Sequence, residues 1–202
     1  YVLPLEYGIY STCVLLQTYM AYLQCGSLNA FNRDYPQLIG ADKSDEAKKY
    51  RNTIFSFLLV IYIVFTILII VSVLFVDNSE SLDRRFVIGL ILSAVTTTLT
   101  AFENYGNFRC RIERGFGYSS IVTLIELLSI LIGVILLPKI GYYAIYITNI
   151  VAMVIGLVFY FKPSFSDFRF TIDRSLLRLV LISGTPLLIN GLIWTVVNSI
   201  DK

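Results

Sequence analysis

Long apolar runs alternate with short charged gaps along this chain. The runs cover roughly residues 8–31, 52–76, 86–108, 116–137 and 142–161, and a sixth begins near Leu179. Each is near the ~20 residues that a helix needs to cross ~30 Å of hydrocarbon. The pattern predicts an all-α integral membrane protein with about five complete transmembrane helices and the start of a sixth. Hydrophobic residues make up 56% of the chain and mean hydropathy is +0.74, more apolar surface than a soluble bundle of this size can bury.

Charge adds an orientation. Of the 16 Lys and Arg residues, twelve fall in every second gap: Arg33, Lys43, Lys48, Lys49 and Arg51; then Arg109, Arg111 and Arg114; then Lys162, Arg169, Arg174 and Arg178. The positive-inside rule makes these gaps cytoplasmic. The intervening gaps hold Arg84 and Arg85 beside Asp77, Glu80 and Asp83, and a lone Lys139 near Pro138 and Gly141, so they face outward. This parity puts residue 1 outside, and the expectation is a fragment that lacks a preceding helix and everything past the sixth run. The expected division is an N-terminal transmembrane bundle over 1–161, a cytoplasmic linker over 162–178, and the start of a second bundle over 179–202.

Composition then narrows the chemistry. The chain has no His, which removes the commonest general base and metal ligand. Cys13, Cys25 and Cys110 have neither disulfide nor metal-knuckle spacing. No nucleophile set and no phosphate-cradling glycine loop is present, so an enzyme is not expected, nor a metal site or a cofactor. The net charge of +2 follows from topology and is no nucleic-acid signal. Between the first two runs, Asp42 or Ser44 is placed to cap a helix, with Asp45 and Lys49 as an i,i+4 pair. The stretch 164–178 interleaves Phe165, Phe168 and Phe170 with polar residues, suiting a segment at headgroup level.

Candidate function lies in the polar faces, because in lipid a polar face must meet protein or water. In the third run Ser93, Thr96, Thr97, Thr100, Glu103, Asn104, Asn107 and Arg111 recur at three- and four-residue steps. The fourth run carries Ser119, Thr123, Glu126, Ser129 and Gly133. The fifth carries Tyr142, Tyr146, Asn149, Met153, Gly156 and Tyr160, and the first carries Ser11, Thr18, Tyr22, Cys25, Asn29, Asn32 and Arg33. The second run has scattered polar positions and is expected to face lipid. Helix packing alone accounts for many Ser, Thr and Gly positions. Glu126 is different: a carboxylate near mid-membrane costs on the order of 2.5–3.5 kcal/mol on insertion scales and needs a partner, a proton or water. Glu103 is expected to reach Arg109 or water. Arg33, Arg109 and Arg111 sit where topology and snorkelling also explain them. In the sixth run Gly184 and Pro186 signal a kink, with Asn190, Trp194, Asn198 and Asp201 along one side.

Four short stretches resemble the polysaccharide flippases of the multidrug/oligosaccharidyl-lipid/polysaccharide exporter superfamily. Leu3-Pro4-Leu5-Glu6-Tyr7-Gly8-Ile9-Tyr10 is similar to the link between that family's first two spans, with Leu3 at a glycine position. Arg33 matches an arginine opening the following cytoplasmic loop. Ile140-Gly141-Tyr142-Tyr143-Ala144 resembles a short outer turn. Ser183-Gly184-Thr185-Pro186-Leu187-Leu188, followed by Ser199-Ile200-Asp201-Lys202, resembles the start of the family's second half.

The resemblance implies a two-bundle transporter of 12 or 14 helices in a bacterial or archaeal cytoplasmic (inner) membrane. It would move a polyprenyl-pyrophosphate-linked oligosaccharide to the outer leaflet, beside a polysaccharide polymerase and glycosyltransferases. Arg33, Arg109 and Arg111 would receive phosphates, and Asn29, Asn104, Asn149, Asn190 and Tyr146 would bond sugar hydroxyls. Glu103, Glu126 or Asp201 would carry a coupling proton or sodium ion. The deep charges are acidic, which suits a competing reading as an ion-coupled multidrug exporter. A membrane scaffold without substrate is the third.

Overall fold

The computed structural model describes residues 4–77, 83–141, 143–162 and 168–200, and all of its regular structure is helical among them. The helices are α1 (Pro4–Met20), α2 (Ser27–Gly40), α3 (Ser44–Asp77), α4 (Arg84–Arg114), α5 (Phe116–Ile140), α6 (Tyr143–Phe161) and α7 (Arg174–Ile200), with a 3-10 turn over Ala21–Gln24. Five stretches are long and apolar enough to cross a membrane: Ser44–Phe75, Arg84–Arg114, Phe116–Gly133, Tyr143–Phe161 and Arg174–Trp194. They match the second to sixth apolar runs.

The first run departs from expectation. Instead of one span over 8–31, the chain leaves α1 through the 3-10 turn, and Cys25 (φ 49°) and Gly26 (φ 75°) both take the left-handed conformation. Two consecutive positive φ values end any right-handed helix. The polar stripe expected from Ser11 to Arg33 is therefore split between two helices. In the sixth run, α7 stays helical through Gly184 and Pro186, where a kink was expected.

Local chemistry sets the remaining ends. Asp83 caps α4 by accepting the Arg85 N–H at 2.9 Å, and Gly115 (φ 89°) closes it. α5 and α6 are joined through Gly141, whose carbonyl accepts the Ala144 N–H at 3.0 Å. Asp42, in the left-handed conformation, lies in the turn after α2, and the Lys43 carbonyl accepts the Ala47 N–H, which puts Lys43 at the α3 N-cap position between the two residues expected there. Lys49 bridges to Asp173 rather than to Asp45, whose ion pair is with Lys48 at 4.0 Å.

The chain packs as two compact units whose limits differ from the expected 1–161, 162–178 and 179–202. One combines Tyr1–Ala21 with Tyr62–Pro163, and the other combines Tyr22–Ile61 with Ser164–Lys202. In the first, α4 packs on α1, α5 and α6, and α5 lies along α6. In the second, α2 packs on α7, and the segment before α7 is strapped to the start of α3. There the Thr171 N–H donates to Ser56 Oγ at 3.1 Å, and Phe168 meets Phe55 edge-on at 4.2 Å between centroids. Phe165 lies outside the described residues, and α7 begins at Arg174, five residues before Leu179.

Asp173 is the clasp of this strap. Its Oδ1 accepts the N–H groups of Ser175 (2.9 Å) and Leu176 (3.1 Å), capping α7, while Oδ2 pairs with Lys49. The hydrogen bond from Lys49, with those from Ser175 and Leu176, holds its carboxyl well below the usual carboxylate range. Such a depressed group stabilises the strap above the ordinary Asp range, and that contribution is lost as pH falls through the folded value. Asn retains capping ability but cannot pair with Lys49. Amide exchange over 168–176 should therefore rise in the order wild type, Asp173→Asn, Asp173→Ala, and wild type should approach the Asn variant only in strong acid.

Also in the second unit, Gly26 and Gly184 meet backbone to backbone, and a Cβ on either would overlap the other's carbonyl oxygen. Overpacking of this kind costs about 1–3 kcal/mol. Gly184→Ala should lower thermal stability in detergent by that amount, and Gly26→Ala by more, because its positive φ adds strain.

Candidate functional site

The polar face of α4 meets α5 and α6 in a series of layers. Near its start, Ser93 Oγ bonds the Tyr146 hydroxyl at 3.0 Å and receives Gln17 Nε2 at 3.3 Å. Tyr146 is buried, with Tyr10 edge-on at 5.5 Å and Cys13 against it. Tyr146, a candidate for bonding sugar, is thus held between α1 and α4. The hydroxyls of Thr96, Thr97, Thr98 and Thr100 each donate to the carbonyl four residues back, at 2.7–3.0 Å. Much of the expected wet stripe is satisfied inside its own helix, and Ser93, Thr96 and Thr97 are buried.

One turn further, two carboxyl groups come together. The carboxyl groups of Glu103 of α4 and Glu126 of α5 lie close enough to interact. Two like charges side by side in an apolar bundle repel. Glu126 is 7% exposed, and its Oε1 has no hydrogen-bond partner. That oxygen lies against Gly156 of α6, where a Cβ would overlap it. Tyr160, one turn along α6, is buried beside both glutamates, with the Ser119 and Thr123 hydroxyls next to its own. Of the two expected partners of Glu103, Arg109 is paired with Glu113 instead, and Glu103 itself is half-buried.

Below the pair, Asn107 Oδ1 accepts from Ser119 Oγ at 2.6 Å and from Arg111 Nε at 2.8 Å. The Arg111 guanidinium also lies over the Phe108 and Phe116 rings, 5.6 and 5.9 Å from their centroids. Arg109 is buried and pairs with Glu113 at 3.0 Å. Asn104 is exposed and Asn149 half-buried. Thr123 on α5 is exposed as well.

The second unit holds the other candidates separately. Arg33 is exposed and forms a two-point bond to Asp34 at 2.5 and 3.0 Å, which strengthens its charged form. Asp34 also accepts the Tyr50 hydroxyl at 3.1 Å. Asn29 is half-buried, Asn190 is exposed on α7, and Asp201 lies outside the described residues. A cleft over this region is lined by Asp34, Lys43, Lys49, Tyr50, Leu176 and Leu179, with both lysines already bonded to carboxylates.

Compared with known proteins, the chain matches no family model, no curated protein and no solved structure. Its chemistry rests on its own residues. Among the described residues, no cluster of His, Cys, Asp and Glu is fit to hold a metal ion.

The pairing of the two glutamates was readable in principle. Glu103 lies twelve residues before Gly115 and Glu126 eleven after it, so a tight antiparallel turn there brings them to the same depth. In the full-length protein in membranes, cysteine at Asn104 or Thr123 should react readily with a hydrophilic thiol reagent, and cysteine at Ser93 should not. Equal protection at all three would place Asn104 and Thr123 against lipid.

Proposed function

We propose that this chain belongs to an ion-coupled membrane transporter that carries a polyprenyl-pyrophosphate-linked oligosaccharide across the cytoplasmic membrane of a bacterium or archaeon by alternating access. The observation that carries the transport reading is the adjacent Glu103–Glu126 pair, contributed by two different apolar helices. A packed helix bundle gains nothing from two acids in its interior, and apolar residues of similar size would fold it at lower cost. Ionisable groups retained at such depth serve proton or ion movement as a rule.

The substrate class rests on the four sequence stretches that resemble polysaccharide flippases. Such a substrate needs a protein path, because desolvating a pyrophosphate is prohibitive in hydrocarbon. The exposed Asn104 and Thr123 offer hydrogen-bonding groups for sugars, and the arginines at the helix ends offer charge for phosphates. On this reading the partners are the polymerase and glycosyltransferases that make and use the lipid-linked unit.

One observation favours a second reading, an ion-coupled multidrug exporter. The deepest charges are acidic, while Arg33, Arg109 and Arg111 each already have a protein partner. A buried acid pair suits a cationic substrate. Deleting the gene in its host should cause lipid-linked oligosaccharide to accumulate on the inner leaflet; normal levels together with reduced efflux of cationic drugs would select the exporter instead. Glu126→Gln should lower transport several-fold while leaving membrane-inserted protein near the wild-type amount.

A further inference from the structure

In the second unit, the end of α2, the start of α3 and the start of α7 line a cleft of about 630 Å³. Pockets for small ligands run to about 300–1,000 Å³. The lining joins four charged residues, Asp34, Lys43, Glu46 and Lys49, to the apolar Leu176 and Leu179. Charge in it is balanced. Lys43 donates to both Glu46 oxygens, at 3.4 and 3.2 Å, Lys49 pairs with Asp173, and Asp34 holds Arg33. A net anion would find no surplus of positive charge here and would compete with a carboxylate for each lysine. A ligand that carries both signs brings a partner for each group it approaches.

An apolar track leaves the cleft. From Leu179, the residues Ile182, Pro186 and Ile189 follow on α7 at three- and four-residue steps, all exposed. At 1.5 Å per residue the stretch from Leu179 to Ile189 is about 15 Å long, half of the ~30 Å hydrocarbon core and so one leaflet deep. A charged cleft without net charge, continuous with a leaflet-deep apolar stripe, has the polarity of a phospholipid with a zwitterionic head.

We propose that this cleft binds a zwitterionic phospholipid with a primary ammonium, of the phosphatidylethanolamine type. Its phosphate lies on Lys43 and Lys49, its ammonium on Asp34 and Glu46, and an acyl chain along Leu179, Ile182 and Ile189. A primary ammonium has three N–H donors to share between two carboxylates. The quaternary ammonium of phosphatidylcholine has none and is held by aromatic cages. Among the described residues that line the cleft, Tyr50 is the one aromatic, and it is committed elsewhere. Its ring stacks on Phe31 with 6.2 Å between centroids, and its hydroxyl donates to Asp34. Phosphatidylglycerol brings a phosphate but no cation for Asp34 and Glu46. The site rests on the membrane assignment of the helices and not on any transported substrate.

Native mass spectrometry tests it, on the full-length protein stripped of lipid in detergent and titrated with phosphatidylethanolamine, phosphatidylcholine or phosphatidylglycerol of the same chains. The ethanolamine lipid should be retained at several-fold lower concentration than the other two. Glu46→Gln leaves a surplus of positive charge in the lining and should turn the preference toward phosphatidylglycerol. The double variant Lys43→Gln, Glu46→Gln should bind the ethanolamine lipid several-fold more weakly, and so should Leu179→Asn. All three side chains are more than half exposed, so the variants keep the fold. Equal retention of the three lipids by wild type, or tighter binding of either of the others, would overturn the site, as would an ethanolamine-lipid affinity unchanged in the double variant. An affinity unchanged in Leu179→Asn would overturn the acyl track.

Discussion

Everything polar in an apolar helix bundle must find a partner inside the bundle, and this constraint shapes the packing of α4, α5 and α6. The chain meets it in three ways that follow depth. Hydroxyls bond their own helix four residues back, as along Thr96 to Thr100. Polar pairs bridge helices, as Ser93 does to Tyr146 and Asn107 to Ser119. Full charges gather near the end of α4, where Arg109 pairs with Glu113 and Arg111 rests on aromatic rings. At Glu103 and Glu126 two carboxyls come together instead, and the Glu126 Oε1 is left without a partner.

Small residues allow these partners to meet. A Cβ on Gly133 would fall 2.5 Å from the Thr148 side chain, and one on Gly106 would fall 2.9 Å from Tyr160 Cβ. With no hydrophobic drive between helices in lipid, close approach and dispersion hold such interfaces together. Gly156 uses the same economy for another purpose, because the space it frees receives a carboxyl. Packing and chemistry thus draw on one device, which is why a stripe of small and hydroxyl residues does not by itself identify a passage.

How far the sequence could be read follows from which forces act locally. Run length and hydropathy depend on composition within a window, so five membrane-length helices were legible, as was the Asp83–Arg85 start of α4 once the charged gap was located. The break at Cys25 and Gly26 was hidden, because an apolar run looks the same whether its backbone is helical or left-handed. Among site residues, Glu126 stood out because a mid-span acid is costly. The roles of Tyr146, Arg109 and Arg111 were not legible, because a side chain's availability depends on partners from other turns and helices.

That last point bears on how a charged headgroup would be received. Arg33 holds Asp34 through two bonds, and Asp34 holds Tyr50 in turn. A guanidinium fixed in this way presents its remaining donors in one direction, which lowers the ordering cost of a second anion. The same carboxylate also competes with that anion for charge. Arg109, buried against Glu113, has the stronger competition and the less open approach. Of the three arginines, Arg33 is exposed with an ordered partner, and the buried Arg109 tethers the end of α4.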